Sequence, residues 1–188
     1  MKRSAQGSIA KRNGKAFESR LESYFTYQNN LGNCDIRKQN EALKPVRSLG
    51  KGMFCAVYQT QSGCDYFGTF MGGYSIVIEA KHRESDRIRM SDFTEAEVKH
   101  LQKTAALGGY AVVIVEFSDG KMYLLPFLMI EHSDLLFKYK HIKETDLNEL
   151  GFSFNFSSHL IDVVTKNVRK GLSMIIDKRN AKNGNKRN

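Results

Sequence analysis

Apolar positions along this chain fall into two rhythms. Between Ser8 and Asn29, the residues Ile9, Phe17, Leu21, Tyr24 and Phe25 approximate one stripe at helical spacing. Lys11, Arg12, Lys15 and Glu18 lie between them, which predicts a helix over 8–29. Asn29-Asn30-Leu31-Gly32-Asn33 stops it. Shorter runs then read as strands: 34–39, a weakly alternating 53–59, an aromatic-rich 64–70 and a β-branched 74–81. Residues 40–52, with Pro45, Gly50 and Gly52, read as a basic loop, and the glycines between 64–70 and 74–81 signal a hairpin. After a polar loop over 82–91, Ser91 or Asp92 caps a helix that runs to about Leu107 and ends at Gly108-Gly109. The run 111–117 is a buried strand, turned by Ser118-Asp119-Gly120 into 121–126. A short helix over 127–137 follows, and a further helix runs from Ser158 into a basic tail. The order predicts an α/β sheet packed by helices on its faces, neither a Rossmann series nor a bundle.

Composition agrees with one ordinary domain. The chain has 188 residues, 41% of them hydrophobic, with 12 Phe and 8 Tyr, enough to bury a core without disulfide staples. No window approaches the ~18 consecutive apolar residues of a spanning helix. The basic N-terminus is followed by no apolar h-region, so no secretory signal is expected. Cys34, Cys55 and Cys64 are odd in number and form no CxxC pair, which predicts three reduced thiols in a cytosolic protein.

Charge changes the picture. The formal net charge is +9, but residues 1–20 carry six basic side chains against one acid and residues 166–188 carry eight against one. The body between them is slightly acidic. Basic ends on an acidic body suggest a polyanion gripped by flexible arms, and nucleic acid is the polyanion expected. Neither end shows a strong apolar face beside its charges, which argues against a membrane surface. The expected division is a basic arm over 1–12, a body over 13–168 with the basic loop 40–52, and a basic tail over 169–188. The cations expected at a nucleic acid are Lys11, Arg12, Lys15, Lys44, Arg47, Lys51, Arg83 and Arg87.

The chemistry sits at Asp65, Glu79 and Lys81. A strand that is apolar at Ile76, Val77 and Ile78 suddenly presents Glu79-Ala80-Lys81, and period two puts both charges on one face. Charges rarely finish a buried strand unless they pair or bind something. If the hairpin loop is Met71-Gly72-Gly73, paired positions sum to 144 and Asp65 lies opposite Glu79; a two-residue loop would put it opposite Ala80. The odd loop, or a compensating bulge, is expected because glycine is available for the left-handed positions. Two adjacent carboxylates repel unless a cation lies between them, and hard oxygen ligands suit Mg²⁺, with Mn²⁺ as a substitute. The expected ligands are Asp65, Glu79 and the Ala80 carbonyl, and Lys81 supplies positive charge to phosphodiester hydrolysis. Glu18 on the first helix and Glu97 on the second are further candidates for the site. The competing reading is an exposed edge strand on which Glu79 and Lys81 are solvated or paired with each other.

At these residues the chain resembles the RecU-type Holliday junction resolvases of Gram-positive bacteria and their phages. The matching pieces are Asp65-Tyr66-Phe67-Gly68, Gly73-Tyr74, Glu79-Ala80-Lys81, the run from Phe93 to His100-Leu101, the strand 111–117, Leu150-Gly151-Phe152 and Leu160-Ile161-Asp162. Asn13-Gly14 with Glu18 is similar to the start of the family's first helix, and archaeal resolvases share this helix and the Asp, Glu-x-Lys set. The resemblance implies a restriction-endonuclease-like mixed β-sheet flanked by helices, a homodimer, and Mg²⁺-dependent paired cutting of a four-way DNA junction in recombination and repair. It implies Asp65 and Glu79 as metal ligands, Lys81 as the catalytic lysine and Glu18 as the first-helix acid. The partners expected are branched DNA, a second copy of the chain, and a recombinase or branch-migration helicase. The place expected is the cytoplasm at the nucleoid, or the host cytoplasm for a phage-encoded chain. Gly63-Cys64 stand where the family has hydroxyl residues, and Glu97 stands where it has glutamine. Loop 40–52 corresponds to the family's insertion, which enters the junction. Two other functions compete: a flap or duplex-end nuclease of the same fold, and a non-cleaving DNA-binding accessory protein.

Overall fold

The structure is a computed structural model and describes residues 2–40, 43–58, 63–137 and 139–184. Residues 41–42 of the expected basic loop, Gln59 of the expected strand 53–59, and 185–188 of the basic tail lie outside the described residues. In chain order the elements are α1 (Lys2–Asn30), β1 (Cys34–Lys38), β2 (Leu43–Gly50), β3 (Met53–Tyr58), β4 (Tyr66–Phe70) and β5 (Ser75–Arg83). Then come β6 (Arg87–Ile88), α2 (Glu95–Ala106), β7 (Tyr110–Phe117), β8 (Met122–Pro126), α3 (Phe127–Glu131) and α4 (Ser133–Leu136). The chain continues through β9 (Ile142–Lys143), α5 (Glu144–Glu149), β10 (Ser153–Phe154) and α6 (Leu160–Gly184).

The main sheet has the order β1-β4-β5-β7-β8-β10. Only β5 and β7 run parallel; the other neighbours are antiparallel. This is the sheet packed by helices that the pattern predicts and the mixed sheet that the resemblance implies. A parallel pair needs a crossover, and α2 supplies it over one face. The central strands are buried on both faces, so they read as continuous apolar runs. On one face Ile76, Ile78, Val112 and Ile114 meet Phe17, Leu21 and Phe25 of α1 and Leu160 and Val164 of α6. On the other, Val77, Val113 and Val115 join Leu101 of α2, Phe127 and Met129 of α3, and Ile175 of α6.

Several boundaries differ from the sequence reading, each for a local reason. Loop 40–52 is mostly strand: β2 and β3 pair as a separate two-stranded ribbon with register shifts after Pro45 and Ser48. The second helix starts at Glu95, because the Thr94 hydroxyl accepts the Glu97 N–H while the Glu97 carboxylate accepts the Thr94 N–H. Asp92 is occupied elsewhere, by Arg83 and the Arg89 N–H. The segment 127–137 is two short helices rather than one. Ile9, assigned to the core stripe, is 48% exposed. The basic ends are helical where described: α1 begins at Lys2, and α6 runs on through the buried Gly171 and Ile175.

Candidate active site

The hairpin of β4 and β5 sets the site. Phe70 N–H donates to the Tyr74 carbonyl (2.9 Å) and Gly73 N–H to the Phe70 carbonyl (3.0 Å), enclosing Met71-Gly72-Gly73. Gly72 and Gly73 take φ of 93° and 83°, the left-handed region that a side chain would strain. The pairs Tyr66–Ile78 and Phe67–Val77 follow, so the odd loop is the one formed and its register extends to place Asp65 against Glu79. β4 begins at Tyr66, one residue beyond Asp65, whereas β5 continues to Arg83. The β4 side of Ala80 therefore has no strand beside it, and the Asp65 carboxylate takes the Ala80 N–H there at 2.8 Å.

Glu79 is only 2% exposed, at a central strand rather than an exposed edge. One carboxylate oxygen meets the Lys81 ammonium at 2.7 Å and the other accepts the Asp65 N–H at 3.3 Å. The pairing of Glu79 with Lys81 in the competing reading is thus present, but in a buried setting. The Lys81 ammonium also reaches Glu97 at 2.9 Å and lies 5.1 Å from the centre of the Phe93 ring. Burial, and then the neighbouring Asp65 charge, pushes the Glu79 carboxyl up to about 8 against the pull of Lys81. Burial likewise raises Asp65, opposed by the Ala80 N–H and Lys81. Burial pulls Lys81 down, but Glu79 and Glu97 outweigh it and hold its ammonium above the ordinary value.

The donor set fits a hard divalent cation. Two desolvated carboxylates face one another, and both are held in a state that extra positive charge would relieve. Within a strand a residue's N–H and C=O point to the same edge, so the Ala80 carbonyl turns toward Asp65 as its N–H does. Among the described residues no cluster of three or more His, Cys, Asp or Glu side chains has metal-binding geometry. Two carboxylates and a carbonyl leave the remaining positions to water, as Mg²⁺ prefers.

The other expected residues divide. Glu97 joins the group through Lys81. Glu18 forms no hydrogen bond or ion pair with Asp65, Glu79 or Lys81: its carboxylate pairs with Lys38 at 2.9 Å, and its carbonyl accepts the Tyr66 hydroxyl. It is still near enough to raise Asp65. Lys11, Arg12 and Lys15 are exposed on α1, and Lys44, Arg47 and Lys51 are exposed on the ribbon. Arg83 and Arg87 are not free cations, since Arg83 pairs with Asp92 at 3.0 Å and Arg87 with Asp86 at 2.8 Å.

Two features go beyond the sequence reading, in which Glu116 has no role and His82 and His100 are near the chemistry but ordinary surface residues. Glu116 interrupts the apolar run of β7 as Glu79 interrupts that of β5, and it is buried between Arg20 and His82. A charge within a buried apolar run is its signal. His100 of α2 accepts the Cys64 N–H at Nδ1 (3.2 Å), just before Asp65. No pattern along the chain connects those two segments.

A model of the family described as Recombination protein U matches residues 12–166. The Holliday junction resolvase RecU of Lactococcus lactis subsp. lactis (strain IL1403) is 29% identical over 121 residues, 60% of this chain and 56% of that protein. The chain thus spans little more than half the length of this curated relative. A solved structure of Archaeoglobus fulgidus Hjc, a Holliday junction resolvase from an archaeal hyperthermophile, aligns with a TM-score of 0.45 and 16% identity, covering 76% of this chain and 91% of that one.

Proposed function

The chain belongs to the RecU (Recombination protein U) family, and from that premise we propose that it is a divalent-metal-dependent endodeoxyribonuclease that resolves four-way DNA junctions. The observation that carries this reading is the register of the β4–β5 hairpin, which sets Asp65 against Glu79 with Lys81 on the same face. Asp65, Glu79 and the Ala80 carbonyl are the residues that would hold Mg²⁺ or Mn²⁺. When bound, the ion supplies a polarised phosphoryl oxygen and a more acidic water.

The chain's own groups do the rest. Lys81 stays protonated between Glu79 and Glu97, so it offers positive charge to the crowded phosphate rather than acting as a base. Glu97, fixed by its cap with Thr94, holds that ammonium in place. The wall of Phe93 beside Lys81 excludes water from one side of the charge. Exposed Lys11, Arg12, Lys15, Lys44, Arg47 and Lys51 would meet backbone phosphates, which position a substrate without reading its sequence. A homodimer would match two such sites to the two-fold symmetry of a junction. A recombinase or branch-migration helicase, and a cytoplasmic, nucleoid-associated setting, belong to the same proposal. No helix among the described residues is long and apolar enough to cross a membrane.

The test offers one labelled four-way junction, one flap and one linear duplex to the purified protein, in Mg²⁺ and in EDTA. Paired nicks in two junction strands of like polarity, dependent on Mg²⁺, are expected. Cutting of the flap or duplex ends with the junction intact would replace the substrate assignment. Undiminished cutting in EDTA would overturn the metal-dependent mechanism.

A further inference from the structure

The turn that launches Asp65 has an unusual support. Gly63 and Cys64 run directly beneath α2, and the Cys64 N–H donates to Nδ1 of His100 at 3.2 Å. The approach is so close that a Cβ built on Gly63 would stand 2.1 Å from that same nitrogen. No side chain fits there while the ring keeps its place. The Cys64 thiol points the same way, toward the Glu97 carbonyl at 3.7 Å. Glu97 and His100 are three apart, so they share one side of the helix. Glu97 holds Lys81, and His100 holds the backbone one residue before Asp65.

We propose that His100 is a positioning residue. By accepting the Cys64 N–H at Nδ1 it fixes the turn from which Asp65 departs, so that α2 braces both the aspartate's backbone and the lysine, whose strands the hairpin has already paired. The proposal rests on the reading of Asp65 as a metal ligand. It requires a neutral imidazole with its proton on Nε2, since a protonated Nδ1 would confront the Cys64 N–H. Burial, and then the Lys103 ammonium, favour the neutral ring. The turn matters because a carboxylate on a loosely held backbone loses its alignment for the ion, and groups that orient metal ligands carry about 10–100-fold in affinity or rate.

The geometry makes a specific demand on substitutions. Asparagine carries its amide oxygen near the place of Nδ1, whereas glutamine reaches toward the place of Nε2. His100→Asn should therefore keep the function, and His100→Gln and His100→Leu should lose it. Single-turnover cleavage of a four-way junction and Mn²⁺ affinity of the protein without DNA are the two readouts. His100→Leu and His100→Gln should weaken both by about tenfold, with junction binding in EDTA unchanged. His100→Asn should lie within about threefold of the wild type. Gly63→Ala should reproduce the loss by displacing the ring, and the double variant Gly63→Ala/His100→Leu should add little to it. If His100→Leu fails to fold, Gly63→Ala alone carries the comparison. In the wild type without metal, the ¹⁵N shifts of His100 should show an unprotonated Nδ1. The opposite tautomer, or equal losses for Asn, Gln and Leu, would overturn the proposal. So would normal Mn²⁺ binding and cleavage by His100→Leu while Asp65→Asn is inactive. If Asp65→Asn itself binds Mn²⁺ and cuts normally, it is the reading of the site that fails.

Discussion

Asp65 and Glu79 are costly residues for this fold. Each is desolvated, Asp65 further raises the proton affinity of Glu79, and the offsets are Lys81 for both and the Ala80 N–H for Asp65. Sites of this kind trade stability for chemistry. Asp65→Asn removes one charge and keeps an oxygen for the Ala80 N–H, so the metal-free variant should melt about 2–4 °C above the wild type. Mg²⁺ should raise the melting temperature of the wild type and leave the variant unmoved, because only a bound ion stabilises the folded state. Thermal melts in EDTA and in Mg²⁺ measure both, and a lower melting point for the variant would refute the repulsion. Single residues are legible in the sequence where a charge interrupts an apolar run, as at Glu79 and Lys81. Glu116 carries the same signal but lies outside the Asp, Glu-x-Lys spacing that drew the eye. Arg83 and Arg87 have acidic partners, Asp92 and Asp86, with which a phosphate would have to compete for the guanidinium. For His100 the sequence supplies a place near the chemistry but not the contact, which exists only once α2 lies against residues 63–64.

Elements were legible to the degree that burial imposes a rhythm on them. The strands β5 and β7, buried on both faces, stand out as apolar runs, and the parity of the hairpin followed from a three-residue glycine loop. The ribbon of β2 and β3 is different. Every described residue of β2 is exposed, and Leu43, Val46, Leu49, Met53, Phe54 and Val57 are all half-exposed or more. A ribbon open to solvent on both faces has no buried side to select alternating residues, so Pro45 and the glycines dominated the reading. Pro45 is accommodated because the register shifts directly after it. The start of α2 was misplaced for a competitive reason. Ser91, Asp92 and Thr94 can all cap a helix, and Thr94 prevails because Glu97 lies three residues on to complete the reciprocal pair.

Across the whole molecule, charge is segregated as the sequence implied, but on helices rather than free arms. α6 remains packed as far as Ile175; beyond it Lys178, Arg179 and Lys182 are exposed, with the Arg179 guanidinium reaching His132 Nε2 at 3.0 Å. Deleting 178–188 therefore removes five cations and no buried side chain among the described residues. Affinity for a four-way junction should fall, and the log–log salt slope should flatten by about 0.7–0.9 for each phosphate that the shortened helix leaves unneutralised. The single-turnover rate at saturating protein should stay unchanged. Fluorescence anisotropy across a salt series reads the slope, and an unaltered slope would remove the C-terminal helix from the DNA interface. The crossover between β5 and β7 sets the one parallel pair of the main sheet and lays α2 over one of its faces. That same crossover brings Glu97 to Lys81, while the hairpin brings Asp65 to Glu79.

The paired carboxylates are tested at their root by single-turnover cleavage of a four-way junction. The wild type, Asp65→Asn and Glu79→Gln are compared, with binding followed in parallel in Ca²⁺. Mg²⁺-dependent cutting is expected of the wild type, with a loss of at least about a hundredfold in each variant and junction affinities within about threefold of one another. Normal cutting by both variants would show that the two acids hold no catalytic ion.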